Sequence, residues 1–119
     1  MRPADLFDYA ETLLGTAECE AAHRNVVGRL YYATYHLALQ KAVADGFVPD
    51  QTGDDHGRQM RHFAAHPDLR LRPLGRRLLP QLRKLRNRAD YVLNSDFPPE
   101  LAGQAMDWAT DVFALLGGR

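Results

Sequence analysis

Hydrophobic residues recur every three or four positions along most of the chain, the spacing that places them on one face of an α-helix. No stretch alternates hydrophobic and polar residues for long enough to predict a β-strand. Glycine and proline divide the chain into helical blocks at about 4–18, 20–45, 55–66, 70–94 and 98–116. The pattern predicts an all-α fold, an up-and-down bundle of four or five helices that forms a single domain over residues 1–119.

The fourth block has a long hydrophobic stripe and contains a proline. Pro80 lacks the amide hydrogen that would bond to the carbonyl of Arg76, so it bends or splits the helix. It lies nearly opposite the stripe, where a bend convex toward solvent would place it. We therefore expect one bent helix, with two helices as the alternative. The stripe consists of Leu71, Leu74, Leu78, Leu82, Leu85, Ala89 and Val92.

The second block is hydrophobic on two sides. A helix of this kind either lies at the centre of its bundle or shares one side with a partner. Tyr31 and Tyr35 lie between the two sides, so their rings belong either to the core or to a site or interface. One side is a conventional buried stripe of Val26, Leu30, Ala33, Leu37 and Ala44. The other side is a second seam of Arg29, Tyr32, His36, Leu39 and Val43.

The formal net charge is zero, but the charges are unevenly distributed along the chain. The first twenty residues are acidic, with Arg2 as their one basic residue, whereas residues 70–88 contain no acid. Guanidinium groups bind phosphates and carboxylates bidentately, so this basic run is either a solvated helix face or an anion-binding surface. Its basic residues are Arg70, Arg72, Arg76, Arg77, Arg83, Lys84, Arg86 and Arg88.

Several classes of protein do not fit the sequence. No window is apolar for long enough to span a membrane, and the N-terminal segment lacks the apolar core of a signal peptide. The lone Cys19 suits a reducing compartment, so we expect a cytoplasmic protein without a membrane partner. His62 and His66 have a spacing able to hold zinc, but no Glu or Cys stands at a ligand spacing. We predict neither a metal nor a cofactor.

The segment LRKLRNRADYVLN, residues 82–94, places two arginines at the edges of the leucine stripe. Arg86 and Arg88 fall on opposite edges, and an arginine there has to pair or reach a polar cleft. The tyrosines and His36 of the second helix offer the densest set of acceptors. We therefore predict a hydrogen bond between one of these side chains and Arg86, Arg88 or Asp90.

Three short segments occur in a familiar order: RLYYATYH (29–36), HGRQMRHF (56–63) and RNRADY (86–91). With the final amphipathic helix, they resemble the HEPN family, the higher-eukaryote and prokaryote nucleotide-binding domains, in particular its small stand-alone bacterial and archaeal members. The resemblance covers about residues 5–116. It implies a four- or five-helix bundle, often a homodimer, that in many members acts beside a small nucleotidyltransferase in toxin–antitoxin or defence modules.

Active members of this family are metal-independent RNases whose signature is an arginine followed, after four to six residues, by a histidine. The resemblance assigns the arginine to Arg86 and the polar residue after it to Asn87. The histidine of the four-residue spacing falls on Tyr91, and the longer spacings reach Val92 or Leu93. The chain therefore lacks the imidazole of the signature.

The candidate catalytic residues are Arg86, Asp90, Tyr91 and His36. Arg86 could stabilise the charge of a phosphorane, but Tyr91, a phenol with an ordinary pKa of about 10, is a poor replacement for imidazole. Asp90 or His36 would substitute only if His36 faces inward, beside the fourth helix. The candidate binding residues are Arg29, Tyr32, Arg83, Asn87 and Arg88.

Three hypotheses follow. The first is a HEPN-like interaction module that binds RNA or a nucleotide and works with a nucleotidyltransferase. The second is a metal-independent RNase toxin with an altered motif, and the third is an unrelated helical scaffold. The missing histidine favours the first. We also expect a homodimer with the second and fourth helices at or near its interface.

Overall fold

The structure, a computed structural model, describes residues 1–51 and 53–118, and within these ranges it contains no strand. The predicted all-α class is therefore confirmed for the described residues. None of the described helices is both long enough and apolar enough to cross a membrane. The α-helices are α1 (Pro3–Thr16), α2 (Glu20–Ala44), α3 (Asp55–Ala64), α4 (Leu79–Tyr91) and α5 (Glu100–Leu116).

Helix α2 is the central element, since it packs against each of the other four helices. Its predicted buried stripe is confirmed for Val26, Leu30, Ala33 and Leu37. Ala44 is an error of the prediction: it is exposed, because it is the last residue of the helix. Just beyond it, Gly46 takes a positive φ of 101°, which favours glycine and ends the helix.

The fourth predicted block is one continuous helical rod from residue 72 to residue 91. A π-helical segment, Leu74–Leu78, leads directly into α4, and the amide of Leu79 donates to the carbonyl of Leu74. This wide turn stands immediately before Pro80, which cannot donate a hydrogen bond, and π-turns of this kind are a common cause of bends. The interpretation of Pro80 as an interruption within one helix is confirmed.

The leucine stripe is buried as predicted up to Ala89, but not at Val92. Helix α4 ends at Tyr91 rather than near residue 94, so Val92 lies beyond the helix and is 43% exposed. The end of the helix coincides with a contact that the sequence did not reveal. The buried Arg24 of α2 donates to the carbonyls of Arg88, Ala89, Val92 and Ser95 over 2.8–3.1 Å.

This contact fixes the end of α4 against α2. The last carbonyls of a helix have no partner inside the helix, and a guanidinium group can satisfy several of them at once. Arg24 also pairs with Glu20, whose carboxylate lies 3.3 Å from its Nε atom. The segment RNRADY is therefore held at a defined height along α2, beside the tyrosines.

The π-helical segment packs closely against α3. A Cβ atom added at Gly75 would lie 2.1 Å from the carbonyl oxygen of Met60 and 2.4 Å from the amide nitrogen of Ala64. Neither backbone atom can move aside without shifting α3. The absence of a side chain at position 75 therefore allows the rod that carries the basic residues to meet α3.

Candidate functional site

Arg86 lies where α4 crosses the tyrosines of α2, and its side chain is 13% exposed. Its Nη2 group donates to the hydroxyl of Tyr32 over 2.7 Å, and its Nη1 group donates to Oδ1 of Asn87 over 3.2 Å. The Nε atom lies 3.0 Å from Oδ2 of Asp90 but is not aligned for a hydrogen bond. The predicted contact between the second-helix tyrosines and Arg86 is therefore present.

Aromatic rings surround the Arg86 guanidinium. Its central carbon lies 5.6 Å from the ring centre of Tyr31 and 5.2 Å from those of Tyr32 and Tyr91. These distances lie within the range of cation–π attraction. Tyr91 is 68% exposed, so its ring remains accessible from solvent. We refer to Tyr31, Tyr32, Arg86, Asp90 and Tyr91 as the Arg86 cluster.

Arg83 supplies a second positive charge on the same side of α4. It is half-buried, and its charge acts on Tyr31, Tyr35 and His56. Among the residues that the structure describes, no hydrogen bond or ion pair occupies its guanidinium group. Arg83 is therefore a cation available to an anionic ligand.

His56, in the first turn of α3, joins this region and was not among the residues predicted for the site. Its ring stacks on Tyr35 with the centres 4.1 Å apart, and its Nδ1 atom is hydrogen-bonded to the hydroxyl of Tyr31. Burial lowers the pKa of His56, and the charges of Arg83 and Arg86 lower it further. Its imidazole is therefore neutral at neutral pH. The segment HGRQMRHF contains His56, but nothing local indicates that it reaches α2.

The hydrogen bond between Tyr31 and His56 also fixes a proton. Burial raises the pKa of Tyr31, so the phenol keeps its proton. Within the described part of the chain, the Tyr31 hydroxyl has Nδ1 of His56 as its hydrogen-bond partner, so we assign the hydroxyl as the donor and place the imidazole proton on Nε2. The lone pair of the imidazole is then occupied, and His56 is not a free base.

The remaining predicted site residues are spread over two sides of the molecule. His36 is exposed, so the condition that it faces inward is not met: it lies one turn beyond Tyr32 on the second seam, 6.2 Å from that ring. Arg29 lies on the same seam, 5.8 Å from the Tyr32 ring. Arg88 points to the opposite side, where it donates to the carbonyl of Asp96 and lies over Phe97.

One group of potential metal ligands occurs among the described residues: Asp45, His62 and His66. The spacing of residues around His62 and His66 did not indicate Asp45 as their partner. Its Oδ2 atom accepts from Nε2 of His62 over 3.0 Å and from Nε2 of His66 over 2.8 Å. Burial opposes ionisation of Asp45, but hydrogen bonds from His62, His66 and Lys41 outweigh this effect and lower its pKa.

The hydrogen bonds of His66 favour a hydrogen-bonded network over a metal centre. The amide of Asp68 donates to Nδ1 of His66 over 3.0 Å, so the proton of a neutral His66 lies on Nε2 and points at Asp45. A metal at Nε2 would require that proton on Nδ1, facing the Asp68 amide. We therefore assign this group to the stability of the connection between α2 and α3.

Comparison with protein-family models, with curated proteins and with solved structures gives no match for the chain. The chemistry of the site therefore rests on its geometry. The Arg86 cluster and the neighbouring Arg83 combine two guanidinium groups with an exposed aromatic ring, which is the combination that binds a phosphate and stacks a base.

Proposed function

We propose that the chain is a HEPN-like module that binds RNA or a nucleotide at the Arg86 cluster and does not cleave RNA by itself. The observation that carries this proposal is the contact of Arg86 with the exposed ring of Tyr91, together with the half-buried Arg83 on the same side of α4, whose charge acts on Tyr31. A phosphate would bind to Arg83, and a base would stack on Tyr91.

Binding without cleavage is supported by the protonation of the groups around Arg86. Metal-independent cleavage of RNA needs a group that accepts a proton from the 2′-hydroxyl near neutral pH. Tyr91 offers a phenol in place of an imidazole, and the Nδ1 atom of His56 is already hydrogen-bonded to the hydroxyl of Tyr31. Asp90 already pairs with Arg86. The cluster can thus bind a phosphate more readily than it can move a proton.

The partners belong to the same proposal: a second copy of the chain and a nucleotidyltransferase, in a toxin–antitoxin or defence system. The second seam of α2 supports an interface, since Tyr32 and Leu39 are only half-buried and Val43 is 48% exposed. This seam adjoins the Arg86 cluster through Tyr32. A partner that covers the seam would therefore lie at the edge of the proposed binding site.

The proposed site is tested by fluorescence anisotropy with a labelled single-stranded RNA. We expect Tyr91→Ala to weaken binding by about 1–3 kcal/mol through the lost stacking. Arg83→Ala is expected to weaken it as well, because it removes an unpaired cation. Tyr9→Ala is the matched control, since Tyr9 is also exposed, at 55%, but lies on α1. Equal binding by wild type, Tyr91→Ala and Arg83→Ala would refute the site.

A further inference from the structure

A second group of arginines lies along the same helical rod, away from the Arg86 cluster. Arg72, Arg76 and Arg77 line a shallow groove of about 410 Å³ together with Leu69 and Pro73. We refer to these residues as the arginine groove. The proposed function does not use it.

Two of these arginines are held in place by the backbone of α3 and the loop after it. Nε of Arg72 donates to the carbonyl of His66 over 2.8 Å, and Nε of Arg76 donates to the carbonyl of Ala64 over 3.0 Å. A guanidinium anchored through Nε keeps its terminal Nη groups for another acceptor, and their planar pair fits a phosphate bidentately. The groove therefore presents fixed donors rather than freely rotating side chains.

The positive charge of the groove is not neutralised by ion pairs in the described part of the chain. Within residues 1–51 and 53–118, no carboxylate forms an ion pair with Arg72, Arg76 or Arg77. Asp111 lies beside Arg77 in an adjoining pocket without pairing with it. Arg70 differs, since its Nη2 group lies 2.9 Å from the carboxylate of Asp68. Three neighbouring arginines that form no ion pair with a described residue are suited to an anionic ligand.

The groove and the Arg86 cluster are joined by one helix. The rod is continuous from residue 72 to residue 91, and at 1.5 Å per residue the rise from Arg76 to Arg86 is about 15 Å. Arg83, which has no ion pair with a described residue, lies between them along the sequence. A ligand that contacts both ends needs several phosphates in a row, which a mononucleotide does not have.

We infer that the arginine groove binds the phosphate backbone of a single-stranded RNA whose other end occupies the Arg86 cluster. The ligand of the module is then an oligonucleotide rather than a mononucleotide. This inference rests on the proposed function, because it takes RNA binding at the Arg86 cluster as given. The groove adds affinity and length selection, while the cluster contacts a base.

The experiment compares two ligands, uridine monophosphate and a labelled single-stranded uridine 12-mer, on the full chain. Arg77→Ala removes a groove charge that makes no backbone hydrogen bond with a described residue, and Arg77 is exposed, so we expect the fold to be unaffected. Arg70→Ala is the matched control, because it removes one charge from the same segment, but one already paired with Asp68. We expect Arg77→Ala to bind the 12-mer about tenfold more weakly and Arg70→Ala to bind it like wild type.

The salt dependence gives a second measurement. Each phosphate contact on a single strand contributes about −0.7 to the slope of log K against log salt concentration. The triple variant Arg72→Ala, Arg76→Ala, Arg77→Ala should therefore lose about 2 from that slope for the 12-mer. Its affinity for uridine monophosphate should stay unchanged. Circular dichroism checks that the triple variant folds. If the triple variant is unfolded, the single variant Arg77→Ala is used for the test.

Two outcomes overturn the inference. One is 12-mer binding by Arg77→Ala that equals wild type, and the other is an equal loss in Arg77→Ala and Arg70→Ala, which would indicate a diffuse charge effect. In both cases Arg83→Ala and Tyr91→Ala still report on the binding site proposed at Arg83 and the Arg86 cluster. If those two variants bind the 12-mer like wild type, the proposed function itself fails, whatever the groove does.

Discussion

Arg86 contacts Tyr32, Asn87 and Asp90, and its removal should therefore affect folding as well as binding. Arg86→Ala leaves the Asp90 carboxylate without its counter-charge and the Tyr32 hydroxyl without its donor. We expect a loss of about 1–3 kcal/mol in the free energy of unfolding, at the lower end because Asp90 is a third exposed. Urea denaturation measures it.

Arg77→Ala serves as the reference for that experiment, since Arg77 is exposed and makes no ion pair with a described residue. Its unfolding midpoint should match that of wild type. An Arg86→Ala protein as stable as wild type would show that the hydrogen bond to Tyr32 contributes nothing to the fold.

His56 makes stability depend on pH in a specific direction. Burial and the charges of Arg83 and Arg86 hold its pKa in the folded chain below the ordinary value, so the unfolded chain binds the proton more readily. Stability is therefore lost as the pH falls from about 6.5 toward the lowered value, and it stays constant below that. Asp55 opposes this shift, and His36 adds to it.

We expect wild type to lose more thermal stability than His56→Gln between pH 7.5 and pH 5, because the variant cannot take up this proton. Thermal denaturation of both proteins at the two pH values measures the difference, and the other four histidines are common to both. Parallel losses in the two proteins would mean that His56 is not held neutral by its surroundings.

The residues of the site differ in how far the sequence could predict them. Arg86 and Tyr32 are separated by 54 positions. Their contact could be predicted, because an arginine at the edge of the core needs hydrogen-bond acceptors and the run of tyrosines in α2 supplies them. The local sequence around His56 and Arg24 does not indicate which residues they contact. Their partners become clear only once α3 and the end of α4 have been placed against α2, which depends on tertiary packing and not on local pattern.

At the scale of elements, the contact between α3 and the π-helical segment depends on one glycine. Gly75→Ala would place a methyl group 2.1 Å from the carbonyl oxygen of Met60, so the two elements must separate. We expect a destabilisation of about 1–3 kcal/mol or more. Gly103→Ala is the control, because a Cβ atom there meets nothing within 4 Å.

Gly103 lies inside α5, where alanine is favoured over glycine by up to about 1 kcal/mol, so this variant should be slightly more stable than wild type. Thermal denaturation of both variants measures the opposite shifts. If Gly75→Ala melts at or above the wild-type temperature, the close approach of the rod to α3 is not as tight as described.

The helices themselves were predictable because their hydrophobic period is regular, and the leucine stripe is buried almost throughout. Their ends were less predictable. Helix α4 stops at Tyr91, three residues before the expected end, where Arg24 binds its last carbonyls. Val92 and Leu93, which follow Tyr91, continue the hydrophobic pattern of α4. Only the tertiary contact with Arg24 therefore marks the end of the helix.

At the scale of the whole molecule, the second seam of α2 predicts a homodimer. Val43 is 48% exposed on this seam, and a charge there would oppose burial against a second copy. We expect light scattering to give a dimer for wild type at a concentration on the order of tens of micromolar, and a monomer for Val43→Asp. Val48→Asp should remain a dimer, since Val48 is exposed in the loop after α2. A wild-type monomer would contradict the prediction.

The central claim is that the molecule holds RNA at the Arg86 cluster without cutting it. The most direct measurement is a titration of wild type into a labelled single-stranded uridine 12-mer in EDTA, followed by anisotropy, with the RNA of the same sample then run on a denaturing gel. Binding without cleavage predicts a saturable anisotropy change that weakens steeply with salt, and an RNA that keeps its full length on the gel. Absence of binding, or cleavage that proceeds without metal and is abolished by Arg86→Ala, would contradict it.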